Sequence, residues 1–550
     1  MTQTSHSQLI SASEDASSHD SSLPDLEKTL AVLLTSGGDE RMDLQSASGL
    51  NRYGCAPRVR RAIPFGNCTA SSLTTLGAEG AQCWLERLAA AAEREGERGL
   101  DCEAEALFRE ARLTLRRELG LLESAVEIAF CPSGTDAELL ALALVRGGNV
   151  KAVTNIISGP EEVGSGTTLA AAACYFQTTV PAGVQREVKA CIDDTLAASV
   201  ELKTINLRRA DGLMFEPEEL DTRAREMVEN ALLKGRKVIL HVLAHSKTGA
   251  HAPSLACVDS LRKKYGSRVA IIIDAAQGRM SRLGMKAAID KGYMVILTGS
   301  KFYGGPSFSG ALFVPPEFWP ESNRQTKLPS GLADFFSAAE LPVSWKGLRA
   351  SLSQKPNIGL LLRWGAALAE IKAYYEVSGE SRLDVLRFWE REVPARLAAA
   401  KYLSLLPSER VIGDDHNRLL QSKQTIFSFY LLNREKRKRL TKNSLLKVFH
   451  WMNRNLSELM PEASLSEKKI LATEIHVGQP VLLTNEGKSE RCVLRIALGG
   501  ALITRVAEDE TLGISFAARK EWLGQQIDLT WKKLDLIVEH FEKLTQRDAI

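Results

Sequence analysis

At 550 residues the chain is long enough for two or three domains. Its 44% hydrophobic and 25% charged residues are those of a folded globular protein, and a net charge of +3 gives no reason to expect nucleic acid or an acidic membrane as partner. No run approaches the ~18 apolar residues of a transmembrane helix, no signal-peptide pattern opens the chain, and the scattered cysteines without a CxxC pair point to reduced thiols in a cytoplasmic protein.

Residues 1–22 are rich in Ser, Thr, His and Asp without apolar periodicity and are expected to form a disordered tail. An N-terminal segment at 23–125 follows, opening with a short amphipathic helix at 23–34. It continues into a Gly-, Asn-, Pro- and Ser-rich ordered loop at 46–73, where Arg52, Arg58, Arg60 and Arg61 cluster. Charges three and four apart at 80–95 and 102–119 predict two helices, and their composition supports only a solvated packing role. From residue 126 short apolar strands alternate with helical stretches, the rhythm of βαβ units and a mostly parallel sheet. Strands are predicted at 126–131, 152–157, 200–207, 238–243, 269–273, 295–298 and 311–314. Helices begin near Asp136, Thr167, Pro217 and Pro253, the last two with proline in the first turn. Right-handed crossovers put the strand C-termini on one edge, where open α/β sheets bind ligands.

The fold class is therefore α/β: a large domain at 126–350 with a mostly parallel central sheet, then interdomain helices and a smaller α+β domain within 351–550. In the latter, helices are predicted at 357–377, 383–405, 444–459 and 516–544, and strands at 425–431 and 491–498. The basic run REKRKR at 434–439 has no interleaved aromatics for base stacking and reads as a solvated turn.

Three strand-end motifs carry chemistry. In YMVILTGSKFYGGPSFSG, at 293–310, an apolar strand runs out into Thr298, Gly299 and Ser300 and then Lys301. A lysine there loses hydration, so it is either paired or employed as a nucleophile of lowered pKa. Taken alone, it reads as a surface lysine in a loop. In SGTDAE, at 133–138, Ser133, Gly134 and Thr135 precede a helix, where free N–H groups and a positive dipole end make a phosphate seat. The plainer reading is an N-cap. In IIIDAAQGR, at 271–279, Asp274 ends an apolar strand and needs a cationic partner, with Gln277 three residues on. That partner is a protonated ring nitrogen, an arginine or a metal ion, and the plainer reading is an ordinary helix cap. Acid, lysine and phosphate seat on neighbouring strand ends form a set that is far less probable by chance than its members.

This set resembles the fold-type I pyridoxal-phosphate enzymes, most closely the class V aminotransferase and cysteine desulfurase group, over about residues 46–507. The resemblance implies a PLP-dependent transferase-like fold and pyridoxal 5′-phosphate as cofactor. It implies Lys301 as the Schiff-base lysine, Asp274 as the carboxylate that keeps the ring nitrogen protonated, and Gln277 near the phenolic oxygen. Ser133, Gly134 and Thr135 match the phosphate loop, and Thr298 and Ser300 match further phosphate contacts. HSKTG at 245–249 places Ser246 where the family commonly has a cofactor-facing asparagine. VLRIALG at 493–499 makes Arg495 the grip on the substrate α-carboxylate. GLNRYG at 49–54 resembles the substrate loop and brings in Asn51. No aromatic or histidine stands at 159–167 to cover the ring. The resemblance also implies a homodimer.

Weaker patterns compete. KTG at 247–249 lacks the companion motifs of penicillin-recognising enzymes. His241, His245 and His251 have no acid or thiol at ligand spacing, and GSGTTL at 164–169 is an incomplete dinucleotide fingerprint. The expected activity is on the Cα of a small amino-acid substrate, transamination first and β-elimination, as in a C–S lyase, or decarboxylation next. No cysteine lies between Phe302 and Lys423, which disfavours loop-cysteine persulfide chemistry. A non-catalytic PLP-fold binding protein is the alternative from another class; retention of both Lys301 and Asp274 counts against it.

Overall fold

The computed structural model describes residues 22–148, 152–321, 327–407, 424–484, 490–508 and 515–548. The tail expected at 1–22 lies outside the described residues but for Ser22, which begins the helix Ser22–Leu34.

β1 (Ile63–Phe65) joins a small sheet taken up below. The large sheet comprises β2 (Glu127–Cys131), β3 (Val153–Ser158), β4 (Val200–Ile205), β5 (Lys237–Ala244), β6 (His251–Ala252), β7 (Val269–Ala275), β8 (Met294–Thr298) and β9 (Gly310–Val314). Its order is β2-β9-β8-β7-β5-β3-β4, with β6 paired to β5. The neighbours from β8 to β4 run parallel, while β9 is antiparallel to both β2 and β8. Every residue of β3, β8 and β9 is buried, so β8 and β9 read as apolar runs rather than alternating ones, while β3 buries Asn155 and Ser158 on the Ala171 and His241 carbonyls.

Residues 75–118 bear on the two helices expected there. Thr75–Glu118 runs as helix on both sides of Gly96, which interrupts it at φ 60° and ψ −147°. Arg87 pairs with Glu110 at 2.8 Å across 23 residues. On a straight helix such residues stand roughly 34 Å apart, so the chain doubles back into a hairpin. Its inner face buries Leu85, Leu88, Leu107, Phe108 and Leu115. A Cβ on Gly80 would meet the Gly365 carbonyl oxygen at 2.9 Å, so the first arm lies tight against the helix Ile358–Glu376. The hairpin is a core element, which corrects the expectation of a solvated packing role alone: the charges cover only its outer face.

The smaller sheet adds β10 (Leu403–Leu405), β11 (Ile426–Leu431), β12 (Ile475–Thr484) and β13 (Arg491–Ala497), in the order β1-β12-β13-β11-β10. β1 runs parallel to β12, Ile63 opposite Ile475. The N-terminal segment is thereby stitched into the sheet that carries Arg495. Other boundaries shift for local reasons. The helix expected at Pro253 is Leu255–Tyr265, because the Ser254 hydroxyl caps it by accepting from Cys257 N, which leaves proline outside the first turn. The helix at Thr167 is only Thr167–Ala171. The span 383–405 divides into the helix Gly379–Leu397 and β10, and 444–459 becomes Lys442–Met452 followed by a 3₁₀ turn at Ser457–Leu459. The closing helix breaks at His540 into Phe516–Glu539 and Phe541–Arg547.

Candidate active site at the strand ends

In the β7–β8 pair Asp274 lies opposite Ile296, and Lys301 follows three residues after β8 ends at Thr298. The turn carrying Lys301 is closed by Gly305 N donating to Gly299 O at 2.9 Å and Gly304 N donating to Lys301 O at 3.1 Å. Glycine is required at 305: a Cβ there would stand 2.6 Å from the Ala367 side chain. Lys301 and Asp274 each keep a little accessible surface while the residues around them are closed. Among the described residues no hydrogen bond or ion pair reaches the Lys301 ammonium. Burial pushes it down to about 8 against the pull of Asp274, and Arg495 and Arg279 add to the fall. Asp274 accepts from Ala276 N at 3.1 Å. Burial raises its pKa in spite of nearby Lys301. Each group is displaced toward its neutral form because neither is fully compensated within the protein.

Gln277 is buried, and its amide is already engaged. Nε2 donates to Cys68 O at 3.0 Å, and Oε1 accepts from Arg279 Nη1 at 2.7 Å. Arg279 donates further to Thr425 Oγ1, Gln277 O and Leu498 O, tying the β7 end to the small sheet. Thr298 Oγ1 donates to Ala276 O at 2.7 Å, and Ser300 is buried beside the lysine.

Ser133 caps the helix Gly134–Arg146, its hydroxyl accepting from Thr135 N at 3.2 Å and Asp136 N at 3.4 Å. Gly134 lies over the β7 and β8 ends, where an added Cβ would touch Ala276 at 3.4 Å and Thr298 at 3.6 Å. Arg41, which the sequence reading missed, comes from the N-terminal segment. Its Nη2 reaches Ser133 Oγ at 3.3 Å while Asp39 holds the guanidinium at 2.6 Å. Burial, with Asp39 nearby, lifts the Asp136 carboxyl to about 7, and one of its oxygens is buried without a partner. The Ser133 hydroxyl is itself engaged, donating to Asp136 Oδ2 at 2.5 Å while it caps the helix. The plainer N-cap reading is therefore what the turn shows, and a positive helix end with Arg41 beside it is what remains for an anion.

On the other side, Arg495 of β13 is buried and fully ligated. It donates to Gln479 O at 2.8 Å, Lys247 O at 2.9 Å and Thr69 Oγ1 at 2.9 Å, and weakly to Cys68 O. Ser246 turns away into a separate network, where its hydroxyl donates to Glu162 Oε2 at 2.7 Å. Arg208 pairs with Glu162 at 2.7 Å, both nearly inaccessible, and Thr248 adds its hydroxyl. Burial alone would raise the Glu162 pKa, but Arg208 and these hydroxyls outweigh it and hold the carboxylate below its usual range. This network fixes the 245–249 loop against the 159–167 loop. Arg208→Met leaves a buried carboxylate uncompensated and is expected to cost about 3–5 kcal/mol, read by denaturant unfolding. Asn51 is spent on its own turn, accepting from Tyr53 N and Cys55 N, and lines a cleft with Met42, Cys55, Ser71 and Ser307. Ser71 Oγ reaches the Lys301 carbonyl at 3.4 Å, linking that cleft to the lysine turn.

The three histidines do not gather. His241 Nε2 lies 3.0 Å from both Asn155 Oδ1 and Glu138 Oε1, while His245, just past β5 at φ 55°, packs edge-on to His251. Among the described residues no group of three or more His, Cys, Asp or Glu is placed to hold a metal ion, and no helix is long and apolar enough to cross a membrane.

Neither a protein-family profile nor a curated protein matches the chain. Solved structures do. An apo cysteine desulfurase from Thermococcus onnurineus NA1 is 14% identical, with 85% of this chain and 94% of that one covered, at a TM-score of 0.48. The cysteine desulfurase CsdA from Escherichia coli is 13% identical over 86% and 94%, also at 0.48. The cystine C–S lyase C-DES is 13% identical over 85% and 97%, again at 0.48.

Proposed function

We propose that the chain is a pyridoxal 5′-phosphate enzyme acting at the Cα of an amino acid, with transamination as its reaction. The observation that carries this reading is Lys301: an enclosed amine without a hydrogen-bond partner among the described residues, beside Asp274 on the adjacent strand end. The residues fit the cofactor at three points. Ser133, Gly134 and Thr135 with Arg41 suit its phosphate, Asp274 suits its ring nitrogen, and Lys301 suits its aldehyde carbon. When bound, the cofactor supplies the electron sink that makes a Cα bond labile.

The chain's own groups do the rest. Asp274 would keep the ring nitrogen protonated, and its burial would make that ionic contact strong. Arg495 turns part of its hydrogen bonding from Gln479 and Lys247 to the substrate α-carboxylate. Lys301, with its amine free, would be the neutral base placed to move a proton at the substrate Cα. The N-terminal segment meets the lysine turn through Ser71, whose hydroxyl reaches the Lys301 carbonyl at 3.4 Å.

Because burial pushes Lys301 down to about 8, its amine is neutral above that pH. Capture of pyridoxal 5′-phosphate by apoprotein is expected to accelerate as pH rises through about 8 and then level off. A rate still climbing toward ~10.4, the value of an ordinary lysine, contradicts the site. The reaction itself is tested by incubating loaded protein with an amino-acid panel. Conversion of the cofactor to its amine form without added keto acid supports transamination. Release of ammonia with pyruvate or sulfide assigns elimination instead.

A further inference from the structure

Every nitrogen of the Arg495 guanidinium already donates within the protein. Nε and Nη2 reach Gln479 O at 3.2 and 2.8 Å, and Nη1 reaches Lys247 O at 2.9 Å and Cys68 O at 3.4 Å. Nη2 also donates to Thr69 Oγ1 at 2.9 Å. These acceptors are all uncharged, so they occupy the directions of the guanidinium without neutralising it. The side chain is closed off as well, with 2% of its surface accessible. Thr69 is different. It keeps partial exposure, whereas Asn67, Cys68 and Ala70 around it are buried.

The main chain explains why a hydroxyl stands there. Gly478 of β12 lies opposite Arg495 of β13, and the register then slips before Val481. Such a slip leaves main-chain groups outside the ladder. Gln479 turns both of its own to this corner: its N–H donates to Thr69 Oγ1 at 3.0 Å, and its carbonyl accepts from Arg495. A hydroxyl has two lone pairs and one proton. Both lone pairs of Thr69 are taken, one by a cation, and among the described residues its proton has no acceptor. Its chain neighbours place it at the reacting end of the site. Cys68 O accepts from Gln277 Nε2 at 3.0 Å, and Ser71 Oγ reaches the Lys301 carbonyl at 3.4 Å. Thr69 N donates to Gly66 O at 2.8 Å and fixes the turn between them.

Resting on the cofactor reading above, we propose that Thr69 is a substrate-binding residue whose O–H donates to the α-carboxylate, with Arg495 behind it supplying the charge. Accepting from a guanidinium makes the hydroxyl a stronger donor. One carboxylate oxygen takes that ready proton, and the other takes the N–H that Arg495 turns from its main-chain partners.

The test titrates loaded protein with glycine and L-alanine and with their methyl esters, following both the cofactor absorbance and the heat of binding. Thr69→Val is expected to weaken binding of the acids by about tenfold to a hundredfold, the worth of one hydrogen bond to a charged group, and to leave the esters unmoved. Thr69→Ser, which keeps the hydroxyl, is expected to retain the acid preference. If Arg495 grips the carboxylate alone, Thr69→Val frees an Nη2 N–H, and the acids bind as tightly as before or tighter; that result overturns the inference. Acid and ester weakened equally by Thr69→Val also overturn it, as does a Thr69→Ser variant that loses as much as Thr69→Val. Thr69→Ala carries the same comparison should Thr69→Val not fold, and acids and esters binding alike to the unaltered protein overturn the inference in either case. Protein that takes up no cofactor overturns the enzyme reading and this inference together. Loaded protein whose acid preference survives Thr69→Val overturns the inference alone.

Discussion

Lys301→Ala is expected to lower turnover by about 10²- to 10⁴-fold, the usual worth of a positioned acid–base group. The loss is chemical rather than structural. Lys301 keeps accessible surface and makes no side-chain hydrogen bond among the described residues, so truncation breaks no hydrogen bond, and buried Asp274, losing the charge that offsets its burial, shifts further toward its neutral form. The turn around it is held by the main chain of Gly299, Gly304 and Gly305, which the substitution does not touch. Unfolding midpoints of the apoproteins should therefore stay close while turnover collapses. A small primary amine added to Lys301→Ala should return part of the activity by standing in as the proton carrier. Turnover near that of the unaltered protein, or a loss matched by a large fall in stability, argues against the role given to this lysine.

Asp274→Ala is the second large effect, with a different signature. Cofactor should still be captured, because Lys301, the Ser133 turn and Arg41 remain. Turnover should fall by about 10²- to 10³-fold, the range for removing a preorganised electrostatic contact in an enclosed site. Asp274 has no bulky role to lose, since its carboxylate accepts from Ala276 N within its own turn. Absorbance of the loaded variant and its turnover, measured on one preparation, separate the two functions. Loss of both together would mean that Asp274 holds the cofactor in place rather than tuning it. Retention of both would remove it from the chemistry.

The large sheet was legible because burial on both faces makes its inner strands β7, β8 and β9 nearly continuous apolar runs, and Lys301 and Asp274 stood out as charges where such runs end. Strands expected at 126–131, 269–273 and 311–314 appear as Glu127–Cys131, Val269–Ala275 and Gly310–Val314. What escaped was whatever depends on contacts distant in sequence. Ile63–Phe65 has no strand signature of its own and becomes one by pairing with Ile475–Val477. Arg41 lies in an unremarkable stretch and gains meaning only by reaching Ser133. The hairpin at 75–118 was read by its charges, though its leucines and Phe108 fill the core. Lys247 was quoted within HSKTG without a role, because nothing local says that its carbonyl meets Arg495. The binding of the Gln277 amide to Cys68 and Arg279 was likewise beyond reach, since Cys68 lies on the N-terminal segment.

The most direct measurement is chemical. Protein loaded with pyridoxal 5′-phosphate, reduced with borohydride and digested, should yield one peptide carrying the cofactor mass, with the label on Lys301. A label on Lys247 or on a surface lysine, or no label at all, would contradict the account.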